Sequence, residues 1–97
     1  MQAEKRYVEV MVRFREDGRM LPRTIVWEDG RLFPVDRVLA VSPAPALRAG
    51  GQGDRYTIRV GGQVRYLFFE RALGEGCGSP GRWFVEASVQ GRRSGQV

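Results

Sequence analysis

The chain has 97 residues, 42% of them hydrophobic and 28% charged, with no histidine and a single cysteine, Cys77. That is the size and composition of one folded domain, and it excludes an intramolecular disulfide and any zinc-finger ligand set. The lack of histidine also removes the commonest general base and the usual partner of a serine or cysteine nucleophile.

No apolar run approaches the roughly 18 residues that a membrane-spanning helix requires. The first ten residues lack the unbroken apolar stretch of a signal peptide. A reducing cytoplasm is the expected setting, with no membrane, no metal and no cofactor. The formal net charge is +5, but it is spread thinly along the chain, and Arg92 and Arg93 supply two of the five charges. The 90–97 segment that carries them reads as a flexible tail, which leaves residues 1–89 as one domain of about +3. Every basic residue except Lys5 is arginine. A GC-rich coding sequence would explain that, and so would a need for bidentate contacts to phosphate or carboxylate.

From Tyr7 to Arg15 the chain alternates strictly, with Val8, Val10, Val12 and Phe14 on the face expected to be buried. Glu16-Asp17-Gly18-Arg19 ends this strand with turn residues. Strands over Arg23 to Glu28 and Arg31 to Val41 follow, joined at Glu28-Asp29-Gly30. A three-residue loop with Gly30 left-handed gathers Ile25, Trp27, Phe33 and Val35 on one face, which a two-residue loop does not. Pro34 has no N–H to donate, so its donor side should point away from a ladder partner, or a bulge should sit there.

The Pro- and Gly-rich stretch Ser42 to Asp54 reads as a loop, with room for one helical turn over Ala44 to Ala49. Strands over Arg55 to Val60 and Gln63 to Glu70 form a second hairpin. A three-residue loop there, Val60-Gly61-Gly62, would place Tyr56, Ile58, Val64, Tyr66 and Phe68 inside. Arg55, Thr57, Arg59, Arg65, Leu67 and Phe69 would then lie outside. A glycine-rich connection leads to a last strand, Arg82 to Val89. The expected fold is all-β, a six-stranded antiparallel curled sheet or small half-open barrel of SH3-like or OB-like size.

Little catalytic chemistry is available. Glu28 with Asp29, and Glu70 with Glu75, fall at turns and strand ends where solvated charge is usual. Gly50-Gly51-Gln52-Gly53 looks like a phosphate-cradling loop but is followed by a strand rather than by a helix carrying Lys-Ser/Thr. Cys77 has no neighbouring histidine or helix N-terminus to activate it. The Ser42 to Asp54 loop, with Arg48 as its only cation, is long enough to hold a small ligand or acidic partner. It is equally a plain crossing from one end of a barrel to the other.

The remaining candidate is the outer face of the second hairpin, where Arg55, Arg59, Arg65 and Phe69 are expected together. Arginine beside exposed aromatic surface suits single-stranded nucleic acid. A solvated outer face of any barrel would look the same.

Blocks reading Trp-Glu-Asp-Gly-Arg from Trp27, Val-Asp-Arg-Val-Leu from Val35, Gly-Gly-Gln-Gly-Asp-Arg-Tyr-Thr from Gly50, Tyr-Leu-Phe-Phe-Glu from Tyr66 and Arg-Trp-Phe-Val-Glu from Arg82 resemble those of short bacterial all-β proteins without assigned activity. The likeness covers residues 7–89. The spacing of the Trp, Gly-Arg, Arg-Val and final Arg-Trp elements also resembles a small domain of unknown function appended to bacterial lesion-bypass DNA polymerases. Neither family implies a catalytic residue, and the second implies a nucleic-acid setting. The expectation is therefore a non-enzymatic binding module with nucleic acid as the preferred partner. The alternative is a protein-interaction or homodimerising domain.

Overall fold

Seven strands form one antiparallel sheet in a computed structural model that describes residues 3–43, 53–72 and 80–88. They are β1 (Ala3–Phe14), β2 (Met20–Val26), β3 (Leu32–Pro34), β4 (Arg37–Pro43), β5 (Gly53–Val60), β6 (Gln63–Arg71) and β7 (Gly81–Ser88). Their order across the sheet is β3-β2-β1-β7-β6-β5-β4. The described residues contain no helix, and the sheet curls into a half-barrel, as the alternating pattern predicts. The proposed helical turn at 44–49, Arg48, Glu75, Cys77 and the 90–97 tail lie outside the described residues.

The first two turns are built alike from the repeated tetrapeptide Glu-Asp-Gly-Arg. In the first, Arg15 N donates to Arg19 O at 2.8 Å, and Gly18 N donates to Arg15 O at 2.9 Å. In the second, Trp27 N donates to Arg31 O and Gly30 N to Trp27 O, both at 2.8 Å. The closing glycines take left-handed φ values of 91° and 92°, which L side chains resist. In each loop the aspartate accepts the backbone N–H two residues on, Arg19 N for Asp17 and Arg31 N for Asp29, at 3.0 Å. The odd loop length sets Ile25 opposite Phe33, and Trp27 meets Phe33 edge-on at 6.4 Å. The predicted register of this hairpin is the observed one.

The run Arg31 to Val41, expected as one strand, is divided, which makes seven strands of six. Leu32–Pro34 pairs with β2, whereas Arg37–Pro43 pairs with β5. The handover takes two residues: Val35 N donates to Arg23 O, and Asp36 N donates to Arg59 O, each at 2.8 Å. Successive N–H groups of an extended chain point to opposite sides, so the donor that Pro34 lacks falls on the side away from β2. The expectation for Pro34 holds. β1 is shared in the same manner, since Ala3 to Val8 pair with β7 and Glu9 to Phe14 pair with β2.

Inside the curl, Ile25, Tyr56, Ile58, Leu67, Phe69 and Trp83 form the core, flanked by Val8, Val10, Val12, Phe33, Val38 and Val85 among others. The Tyr56 hydroxyl donates to Met20 O at 3.0 Å and so ties β5 to β2 across the interior. Phe14, expected inside, is 66% exposed, because it sits at the last position of β1, paired with Met20 beside the turn.

The second hairpin corrects the sequence reading. Its loop is two residues long, with Val60 opposite Gln63 and both Gly61 and Gly62 at positive φ, 58° and 80°. Consecutive positive φ values define the type I′ turn whose twist matches that of the flanking strands. The shorter loop reverses the faces of β6. Leu67 and Phe69 are buried, Tyr66 and Val64 are about half exposed, and Tyr56 now faces Leu67 instead of sharing a side with Phe68.

Truncation separates the two registers. Leu67→Ala should destabilise the fold by roughly 2–5 kcal/mol, as loss of a buried aliphatic side chain does, while Tyr66→Ala should cost less than about 1 kcal/mol. Denaturant unfolding of the two variants measures both, and the opposite ranking would restore the three-residue loop.

Candidate nucleic-acid interface

Residues on the outer face follow from the ladder: Lys5 and Tyr7 on β1, Arg82 and Phe84 on β7, Val64, Tyr66, Phe68 and Glu70 on β6, and Arg55, Thr57 and Arg59 on β5. Arg37 on β4 joins them as the direct partner of Arg59. An outer face is normally polar, yet this one carries four aromatic rings. Phe68 and Phe84 stack with centroids 5.0 Å apart and planes 7° from parallel, and Tyr7 meets Phe84 edge-on at 5.7 Å. Phe84 is only 3% exposed although it lies outside the barrel core. Its neighbours, with Lys5 Nζ 4.8 Å above the ring, form a second apolar layer.

Both outer tyrosines remain accessible, Tyr7 at 40% and Tyr66 at 51%. Each carries a guanidinium over its ring. Arg82 lies 3.8 Å from the Tyr7 centroid and Arg55 lies 4.9 Å from that of Tyr66, distances within the range of cation–π attraction.

Electrostatically the face has two halves. Around β1 and β7, Glu70 gathers the Tyr7 hydroxyl at 2.7 Å and the Lys5 ammonium at 3.2 Å. Donation from Tyr7 is the largest influence holding the Glu70 carboxyl below its ordinary pKa; the Lys5 hydrogen bond and charge and the charge of Arg82 add to it. Around β4 and β5 the acids are engaged away from the outer arginines: Asp54 pairs with Arg71 at 3.1 Å, and Asp36 accepts from Gly62 N at 3.3 Å. Arg37, Arg55 and Arg59 are exposed and form no ion pair with a carboxylate among the described residues. Arg37 and Arg59 stand directly opposite one another, and like charges so placed oppose strand pairing.

Of the four residues expected to share a surface, the structure brings Arg55 and Arg59 together and separates the other two. Phe69 is buried against Trp83 at 4.9 Å. Arg65 pairs with Ile58 on the inner side of the sheet, where its guanidinium donates to Val64 O and Gln63 Oε1. Both displacements follow from the two-residue turn. Tyr66 was missed for the same reason, and the consecutive glycines were the signal that could have found it. Arg37 was missed because a single strand over Arg31 to Val41 gives it the parity of Val35, whereas Tyr7 and Arg82 join this face only through the strand order β1-β7-β6.

Of the acids considered for catalysis, Glu28 and Asp29 are engaged elsewhere. Glu28 accepts from Arg6 at 2.9 Å and Asp29 from Arg31 at 2.7 Å. The Asp17 and Asp29 carboxyls are held below their ordinary range, chiefly by the backbone N–H groups of Arg19 and Arg31. No group of three or more His, Cys, Asp or Glu that could hold a metal occurs among the described residues, nor does any helix long and apolar enough to cross a membrane. No family model, curated protein or solved structure matches the chain.

Glu70 gives this face a measurable pH signature. Its folded pKa is depressed, so its contribution to stability is complete above the ordinary carboxylate range and is lost as pH falls through the lowered folded value. Tyr7→Phe removes the strongest donor, and the Glu70 carboxyl should then titrate at higher pH than in the parent. Carbon-detected NMR titration of the side-chain carboxyls reads this directly, and an unchanged midpoint would show that the hydroxyl does not hold the acid.

Proposed function

We propose that this domain is a non-enzymatic module that binds single-stranded nucleic acid on the outer face of β4, β5 and β6. The reading is carried by three exposed arginines, Arg37, Arg55 and Arg59, that form no ion pair with a carboxylate among the described residues, on a face where Arg55 lies over the exposed ring of Tyr66. Guanidinium forks match phosphate geometry. An accessible aromatic ring takes an unstacked base, in a contact that tolerates any sequence because every base has a π face. Open rings on a sheet suit single strands, whose bases are free to leave their neighbours, better than they suit a duplex.

The alternative of a protein-interaction or homodimerising domain draws on β4. That strand has β5 as its sole ladder partner in the sheet order and exposes Leu39 and Val41. A strand edge with apolar side chains is a route to pairing with another chain. The two readings differ in what they require of the arginines, which only the first one uses.

Titration against single-stranded DNA and RNA at two salt concentrations tests the proposal. Binding should weaken with salt with a log–log slope of about −2, as expected when three phosphates are neutralised at about 0.7 each. Replacing Arg37, Arg55 and Arg59 by Gln should abolish most of it while leaving the unfolding midpoint close to that of the parent. Binding that is absent at low salt, or that ignores both salt and the triple substitution, would overturn the proposal. A stable dimer in light scattering without nucleic-acid affinity would favour the alternative.

A further inference from the structure

Tyr7 and Tyr66 lie at the two ends of one continuous aromatic row. Tyr66 and Phe68 are two residues apart on β6 and therefore about 7 Å apart along the strand. From Phe68 the row crosses to Phe84 at 5.0 Å and then to Tyr7 at 5.7 Å. The middle of the row is closed, because Phe84 is buried by its neighbours, whereas both ends are open. Each open ring carries one arginine, Arg55 at one end and Arg82 at the other. Two stations of the same composition thus sit at either end of an apolar floor no more than about 18 Å long.

Resting on the single-strand reading above, we infer that this row is a two-station path for a short oligonucleotide. One base stacks at Tyr66 with Arg55, another stacks at Tyr7 with Arg82, and the strand between them crosses the Phe68–Phe84 floor. Guanidinium planes already lying against tyrosine rings offer the same flat surface to a base, so each base is met by an Arg–Tyr pair rather than by a ring alone. The phosphates have cationic partners along the way. Arg59 and Arg37 lie beyond the Tyr66 end, Arg59 opposite Val64 and Arg37 opposite Arg59 on the ladder, and Lys5 and Arg82 flank the Tyr7 end. Glu70 sits beside that second station with both carboxylate oxygens engaged, and it makes the Tyr7 end less favourable to phosphate than the arginine end. The strand is therefore held by its backbone at β4 and β5 and by its base at β1. The length of the row corresponds to between about three nucleotides, if the bases splay, and about five, if they stack at 3.4 Å each.

Oligothymidylates of one to ten nucleotides, titrated against the whole chain at low salt, test the path. Affinity should rise steeply up to about four or five nucleotides and only slightly beyond, and a duplex of matching length should bind more weakly. Tyr7→Leu and Tyr66→Leu should each weaken binding of the longer oligonucleotides roughly five- to a hundredfold, the range of one lost base stack. Tyr7→Phe should bind like the parent; it loses the same hydrogen bond to Glu70 as Tyr7→Leu but keeps the ring, so it separates stacking from folding. If Tyr7→Leu leaves affinity unchanged while the triple arginine variant abolishes it, the second station is overturned and the single-strand reading stands. If neither the arginine nor the tyrosine variants alter affinity, both fail. Equal affinity for duplex and single strand overturns the path whatever the variants do.

Discussion

Two residues, Val35 and Asp36, join the opposite edges of the sheet, and that connection dictates the shape of the molecule. Seven strands laid flat at about 4.8 Å spacing would hold their outermost members nearly 30 Å apart. Three Cα–Cα steps of 3.8 Å let Pro34 and Arg37 separate by no more than about 11 Å. The sheet has to curl until the end of β3 lies near the start of β4, and the consecutive donations of Val35 to β2 and Asp36 to β5 show one extended segment bridging the two edges. An inside is thereby created without a helix to cover it. Ile58 and Leu67, both at 0% exposure, lie on β5 and β6, the two strands next to the β4 edge.

Curling explains the inner core, but the stability of the central strands also draws on their outer side. On β6 and β7 apolar residues follow one another without regard to parity: Leu67, Phe68 and Phe69, and then Trp83, Phe84 and Val85. Leu67, Phe69, Trp83 and Val85 fill the barrel, while Phe68 and Phe84 stack outside it. Aromatic pairs contribute about 0.5–1.5 kcal/mol each beyond their buried area, so the outer layer reinforces the pairing of β1, β7 and β6. The same layer brings Tyr7 within reach of Glu70 and gives the carboxylate the donors that keep it ionised. A surface that might have been merely solvated thus becomes ordered, with side chains held by ring contacts and hydrogen bonds.

How much of this was legible depended on whether hydrophobic parity and turn chemistry agreed. At Trp27-Glu28-Asp29-Gly30-Arg31 they did, since Trp27 and Phe33 share a face only across an odd loop and Asp-Gly accommodates one, and the register was read correctly. At Gly61-Gly62 they conflicted. Gathering Tyr56, Ile58, Tyr66 and Phe68 together assumed a single apolar face, whereas β6 has two, and the paired glycines with their two left-handed conformations settle the loop length. Phe69 and Arg65 were assigned to the wrong side by that one-residue slip, while Arg55 and Arg59, on the other strand of the hairpin, were not affected. The break at Pro34 was legible as a constraint on donors but not as a change of partner. Which strand receives Arg37 to Pro43 is a property of the curled sheet and is written in no local pattern.

The division of the outer face into a compensated and an uncompensated half bears most directly on what the surface can bind. At the β1–β7 end a carboxylate stands among the cations and accepts a hydrogen bond on each of its oxygens. At the β4–β5 end Arg37 and Arg59 face each other across the ladder with no ion pair to a carboxylate among the described residues, an arrangement that works against the strand pairing in which both take part. Water and salt screen the repulsion, so the fold tolerates it, yet a glutamate at Thr57 or Ala40 would have relieved it at little cost. An anion supplied from outside relieves it equally well. It would do for Arg37, Arg55 and Arg59 what Glu70 already does for Lys5, because the nearby carboxylates of Asp36 and Asp54 are engaged by Gly62 and Arg71.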